Sequence, residues 1–197
     1  MVLAHHLIWV AYGWWLPNDL RGSTSNFIGS DVIAQLGDLH QGRKRLQPAS
    51  KDIRRFYEKA ADVLKFSLLR FTPMEMNVLA QAFAEVISWE KYTCYACAIM
   101  PDHIHMVIRK HRDLAEAMIA KLQQASRDAV LKIGDTARRE LKHPVWGGPG
   151  WKVFLDAPQE ITRTIEYVED NPIKLRMPRQ TWDFVQPYDG WPFHKRG

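Results

Sequence analysis

Two apolar runs in the middle of the chain, Tyr92–Met100 and His103–Arg109, are separated by nothing longer than Pro101-Asp102. The first run is nearly continuous in apolar residues and the second alternates. A Pro-Asp break between two strand-like runs predicts an antiparallel hairpin. Amphipathic helices flank it. Before the hairpin, Thr72-Pro-Met-Glu75 supplies a capping Thr, a first-turn Pro and a Glu three residues on, and Met76, Leu79, Ala80, Phe83, Val86 and Ile87 follow at helical spacing. After it, Asp113–Ile133 carries Leu114, Met118, Leu122, Ala125 and Val130 near one side. The aromatic and β-branched segment His6–Trp14 predicts an opening strand, and Trp151–Leu155 a closing one. Asn18–Gln47 is a Gly-containing excursion with a short helix inside Asp31–Leu39, leading into a helix that begins near Lys51. With the excursion set aside, the order is β-α-β-β-α-β, which predicts an α+β ferredoxin-like core: an antiparallel sheet with helices on one face. An additional C-terminal helix opens at Asp156-Ala-Pro-Gln-Glu160 and lasts to about Asp170, with Asn171 stopping it before Pro172.

At 197 residues, 46% hydrophobic and 25% charged, the chain suits one domain with a real core and excludes wholly disordered and collagen-like classes. The reading is a single domain over 1–197, with an insertion at about 18–71 and a tail at about 174–197. No stretch approaches the roughly 18–20 apolar residues needed to cross a bilayer, and the N-terminus lacks a signal-peptide pattern. Cys94 and Cys97 form C-x-x-C inside an expected strand, where residues three apart point to opposite faces; they read as buried structural thiols in a reducing compartment. The net charge of +5 is regional. Residues 41–70 hold nine Lys/Arg against three Asp/Glu, and residues 171–197 hold five against two, so the remainder is acidic. Such stretches suit either a phosphate backbone or a plain solvated surface.

Two patterns carry candidate chemistry. On a strand, His103 and His105 leave the same face while Ile104 and Met106 face the other way. Paired neutral imidazoles are a good two-point seat for a divalent metal, and they also occur on solvated sheet faces. Asp102, at the turn, reads as a backbone cap. His5, His6, His40, His111, His143 and His194 read as structural or surface residues. In the last helix, Tyr167 and Asn171 are four apart and share a face, while Ile161, Ile165 and Val168 line an apolar side. Residue pattern alone reads Tyr167 as an amphipathic interface residue, with nothing periodic to mark it as a nucleophile.

His5-His-Leu-Ile-Trp-Val-Ala-Tyr-Gly13, Ile99-Met-Pro-Asp-His-Ile-His-Met-Val107, Ile165-Glu-Tyr-Val-Glu-Asp-Asn-Pro-Ile-Lys174 and Asp189-Gly-Trp-Pro-Phe193 together resemble the REP-associated tyrosine transposases. These are single-strand-DNA transposases of the His-hydrophobic-His (HUH) superfamily. The resemblance covers roughly residues 5–17 and 72–193; residues 18–71 look like an insertion. It implies a nucleophilic Tyr167, a Mg²⁺ or Mn²⁺ ion held by His103, His105 and Asn171, and a 5′-phosphotyrosine intermediate. It further implies a single-stranded DNA partner folded as a hairpin or imperfect palindrome, a homodimer, no membrane association and a cytoplasmic, nucleoid-associated setting in a prokaryote. Candidate DNA-backbone contacts are Arg43, Lys44, Arg45, Arg54, Arg55, Lys174, Arg176 and Arg179, with Lys195 and Arg196 in the tail. Trp14, Trp15, Trp146 and Trp151 are candidates for stacking on unpaired bases. Two other readings stand beside it: a catalytically idle binder of DNA or RNA hairpins, and a metal-dependent nuclease without a covalent intermediate.

Overall fold

Four strands, β1 (Ala4–Val10), β2 (Cys94–Ile99), β3 (His103–Arg109) and β4 (Trp151–Leu155), form one antiparallel sheet in the order β2-β3-β1-β4. The structure is a computed structural model that describes residues 1–42, 44–134, 140 and 142–192. Arg43, Phe193, His194, Lys195 and Arg196 therefore lie outside the described residues. The helices are α1 (Asp31–Ala34), α2 (Ser50–Val63), α3 (Pro73–Glu90), α4 (Ala115–Ile133) and α5 (Pro158–Lys174). The β1-α3-β2-β3-α4-β4 order and the pairing of β1 between β3 and β4 make this the expected ferredoxin-like α+β core, with additional helices. Among the described residues, no helix is long and apolar enough to cross a membrane.

Strand alternation sorts the sheet into two faces. Leu7, Trp9, Ile104, Met106 and Ile108 pack beneath Leu79 and Phe83 of α3 and Met118 and Leu122 of α4. Each such side chain contributes roughly 1.5–3 kcal/mol by leaving water. The opposite face carries Ala4, Ala96, Ala98 and Val107, and α5 lies over it through Ile161 and Val168, with Ile165 half-buried beside them. Small strand residues there let the helix come close.

Local chemistry sets the helix ends. Thr72 Oγ1 accepts from Glu75 N–H at 3.2 Å and Glu75 Oε2 accepts from Thr72 N–H at 2.8 Å, the reciprocal cap that the sequence predicts. At α5, Glu160 Oε2 reaches back to the N–H groups of Asp156 and Ala157, with Pro158 in the first turn.

Several expectations need correction. The first strand spans Ala4–Val10 rather than His6–Trp14. It ends where Ala11 N–H turns to Asp102 O and Gly13 adopts φ +85°. A Cβ on Gly13 would also lie 2.6 Å from Leu68 Cδ2. The helix at Asp31 stops at Ala34 instead of reaching Leu39. α5 continues through Pro172 to Lys174 rather than stopping at Asn171. Proline in the final turn forfeits one hydrogen bond, to the carbonyl four residues back, and the Pro172 ring is buried in return. A bulge between Cys94 and Ala96 adds a residue to β2, so both cysteines, expected on opposite faces, belong to the core under α3 and α4. Both are free thiols. Burial pushes Cys94 up to about 12 and Cys97 well above the usual thiol range, consistent with a structural role.

Residues 14–68 form a second packing unit. Leu16, Phe56, Tyr57 and Ala60 are buried together, with Trp14, Leu64 and Leu68 against them. Asp19, fully buried, accepts from Arg21 and from the Tyr57 hydroxyl. The other side of α2 turns Lys51, Arg54, Arg55 and Lys59 to solvent, with Lys44 and Arg45 exposed just before it.

Candidate functional site

The site lies on the sheet face covered by α5. His103 and His105 project there from β3 as the alternation predicts, with ring centroids 4.9 Å apart. The turn beside them is pinned from two sides: Ala11 N–H donates to Asp102 O at 2.9 Å and Phe71 N–H to Pro101 O at 2.7 Å. That fixes Asp102, whose side chain does something the sequence reading did not assign. Instead of capping backbone, Asp102 Oδ1 lies 2.6 Å from His103 Nδ1. Burial opposes the charge of Asp102, but the His103 hydrogen bond and charge, with Arg70 and Arg21 further out, hold the carboxyl below its ordinary range. An ionised carboxylate only accepts, so it selects the tautomer in which His103 Nδ1 carries the proton.

His105 is held in the same way by a residue that the sequence reading set aside as structural or surface. His6 Nε2 lies 2.9 Å from His105 Nδ1, and the two rings stack at 5.1 Å. His6 pairs with Val107 and its neighbour Ile8 with His105, so β1 delivers the third imidazole to the same face. Burial lowers His6 to about 4 and drives His105 well below the usual histidine range, where His103, His6 and Lys174 add to the effect. Both rings are therefore neutral at neutral pH, and one donates to the other. Among the described residues, the Nε2 atoms of His103 and His105 have no hydrogen-bond partner.

α5 brings a phenol over this floor. The Tyr167 ring lies 5.6 Å from His105 and 6.0 Å from His6, edge to face, while its side chain stays partly open to solvent. Asn171 Nδ2 donates to Tyr167 O at 2.9 Å. The amide oxygen, the atom that a cation would take, has no hydrogen-bond partner among the described residues. Because the helix runs through Pro172, Lys174 returns to the same side two turns after Tyr167 and places its ammonium 4.7 Å from the ring centroid. Lys174 thus belongs to the site itself as well as to the basic tail.

Of the remaining cationic candidates, Lys44, Arg45, Arg54, Arg55 and Arg176 are exposed, and Arg179 is tied to Glu169 at 2.9 Å. Trp15 stands nearest the chemistry: its ring is 4.9 Å from His103 and carries the Arg21 guanidinium at 3.8 Å on its face. Trp14 and Trp146 instead donate to the backbone carbonyls of Leu69 and Gln123 and pack against the core, while Trp151 is half-exposed on the edge strand. His143 is held by Pro144 O and His111 lies against Tyr92, both structural placements. His5 packs against Phe154.

Three chemical conclusions follow. Two Nε2 atoms with engaged Nδ1 partners and one amide oxygen without a partner are the ligand types that a divalent cation of mixed nitrogen and oxygen preference accepts. Among the described residues, no three His, Cys, Asp or Glu side chains gather into a ready-made metal cage; the implied set contains only two such residues besides the amide. The Tyr167 ring lies against His105 and His6, with the Lys174 ammonium beside it.

No family model matches the chain, and no curated protein matches it. Among solved structures it is similar to a REP-associated tyrosine transposase bound to a REP hairpin, at 10% identity and a TM-score of 0.45, over 97% of this chain and 74% of the other. It is also similar to a candidate transposase from Deinococcus radiodurans R1, at 12% identity and a TM-score of 0.41, over 86% of this chain and 91% of the other. At that level of similarity residue roles do not transfer.

Proposed function

We propose that the chain is a metal-dependent single-stranded DNA transesterase that cleaves and rejoins DNA near a hairpin or imperfect palindrome, working as a transposase. One observation carries the reading. Both strand histidines have Nδ1 engaged, His103 by Asp102 and His105 by His6, which leaves both Nε2 atoms without a partner among the described residues, and the Tyr167 ring lies edge-on to His105. Histidines that only filled space would need no such fixed orientation, and the motif set in the sequence agrees with this reading.

His103 Nε2, His105 Nε2 and Asn171 Oδ1 would hold Mg²⁺ or Mn²⁺. Such an ion, when bound, supplies Lewis-acid polarisation of a phosphate oxygen and neutralises charge in the transition state. Tyr167 Oη attacks the phosphorus in line. The new bond joins Tyr167 to the 5′-phosphate, the bond from phosphorus to the 3′ oxygen breaks, and that oxygen leaves as a free 3′-hydroxyl with a proton. Attack by another 3′-hydroxyl on the phosphotyrosine reverses the step, so strands exchange with no nucleotide cofactor. Lys174 offers its charge to the incoming phosphate. Lys44, Arg45, Arg54 and Arg55, with Arg176, would grip the backbone beyond the cut. Trp15, beside His103, is the aromatic best placed to meet an unpaired base.

The test is denaturing electrophoresis of the protein after incubation with 3′-labelled single-stranded DNA and Mn²⁺. A labelled protein band is expected for the wild type and none for Tyr167→Phe, with DNA binding retained in both. Cleavage without a protein-linked label would turn the reading into a nuclease, and tight hairpin binding with neither product into an idle binder.

A further inference from the structure

Away from the histidines, the far end of the same sheet carries a second cationic feature with exposed aromatic surface. β3 leaves the sheet at Arg109 and continues through Lys110-His-Arg112. α3 ends alongside it, with Lys91 in a left-handed cap at φ 58°. Between them lies an open cleft of about 720 Å³ whose lining includes Trp89, Glu90, Lys91, Lys110, Arg112 and Trp191. At about 3.3 Å per residue, the length of β3 puts this cleft about 20 Å from His103.

We propose that this cleft binds single-stranded nucleic acid, with phosphates on Lys91, Lys110 and Arg112 and a base stacked on Trp89. Trp89 is 85% exposed in the last turn of α3, a position where packing requires no indole. The three cations are exposed, and none has an ion-pair partner among the described residues. The acids close by are already occupied: Glu90 is bound by Lys121 at 2.8 Å, and Asp113 by the same ammonium and by the Tyr92 hydroxyl. Arg109 leans over Trp191 at 5.2 Å and faces Asp189, which settles the second aromatic wall without using up the free cations. The cleft thus combines net positive charge with an open indole face. A strand with unpaired bases satisfies both, because every base has a π-face and every linkage a charge. A duplex keeps its bases stacked on one another and away from Trp89. This inference rests on the single-strand reading of the Tyr167 site and extends it: a strand cut there would have a second hold on the same molecule.

The experiment is a fluorescence-anisotropy titration of the full chain with labelled oligothymidine, which has no hairpin, at several salt concentrations. Trp89→Ala should weaken binding about tenfold, the lower part of the range for one lost stacked base. The Lys110→Ala, Arg112→Ala double variant should reduce the salt slope by about two. Trp89 is exposed and both cations are on the surface, so circular dichroism should be unchanged. Wild-type affinity and slope in both variants would overturn the proposal, and so would oligoglutamate competing as well as oligothymidine. Loss of the Tyr167 adduct with these binding effects intact would instead remove the catalytic reading and leave the cleft standing.

Discussion

Each face of the four-stranded sheet is built from alternate residues of the same strands, yet the two are different materials. Ile104 and Met106 point into an aliphatic and aromatic core sealed by α3 and α4. Their neighbours His103 and His105 point toward α5, onto a floor of imidazoles. Helix cover alone does not make the difference, because both faces have it. One face is packed by large side chains; the other uses Ala4, Ala96 and Ala98 to admit a helix while polar rings are held by hydrogen bonds. Stability should therefore reside mainly on the first face and chemistry on the second.

The largest expected effect tests the packed face. Ile104→Ala should cost about 3–4 kcal/mol in a urea melt, a large share of what holds a domain together. His103→Asn, one residue away, keeps a side-chain donor for Asp102 and should cost less than about 1 kcal/mol, while abolishing the DNA adduct. Equal destabilisation by both would erase the distinction.

Next in size is a pH effect that belongs to the histidine face alone. Folding depresses His6 to about 4 and lowers His105 well below the ordinary histidine range, both mainly by burial. The unfolded chain therefore binds more protons below about pH 6.5. Stability from these rings is complete above that pH and is lost as pH falls toward 4, by up to roughly 3 kcal/mol at His6. Melting of the metal-free protein from pH 7 to 4 should show the loss, and His6→Phe should flatten it. An unchanged profile in that variant would mean that the ring is not buried neutral.

A smaller effect concerns the partners of the imidazoles. Asp102→Asn keeps an acceptor for His103 Nδ1 but removes the charge that fixes its tautomer. It should raise the Mn²⁺ concentration at the midpoint of cleavage by about 10–100-fold with little change in melting temperature. The smallest lies outside the sheet: Arg54→Ala with Arg55→Ala on α2 should lower the salt slope of DNA binding by about two and leave adduct chemistry on bound DNA intact.

How much of this the sequence shows depends on the range of the interaction involved. The limits of β3, the alternation of His103 and His105, and the Thr72–Glu75 cap are local, and they are legible residue by residue. Tyr167 and Asn171 were legible as a shared helix face for the same reason. His6 was not, because its meeting with His105 depends on the register of β1 against β3, separated by 99 positions. Placing β1 next to β3, as the ferredoxin-like order demands, was the one available signal that the His5-His6 pair could reach the site. The contact of Asp102 with His103 is not legible either, because a turn acid next to a proline fits a backbone cap equally well. Lys174 looks like tail charge in the sequence because Pro172 is ordinarily a stop, a rule that burial of the Pro172 ring overrides. The cysteine pair changed face through a bulge that strict alternation does not foresee.

The most direct test of the central claim is mass spectrometry of the covalent species after nuclease and trypsin digestion. The account predicts a nucleotide remnant on the peptide containing Tyr167, joined through a 5′-phosphate and dependent on His103 and His105. A remnant on any other tyrosine, or cleavage products with none on protein, would contradict it.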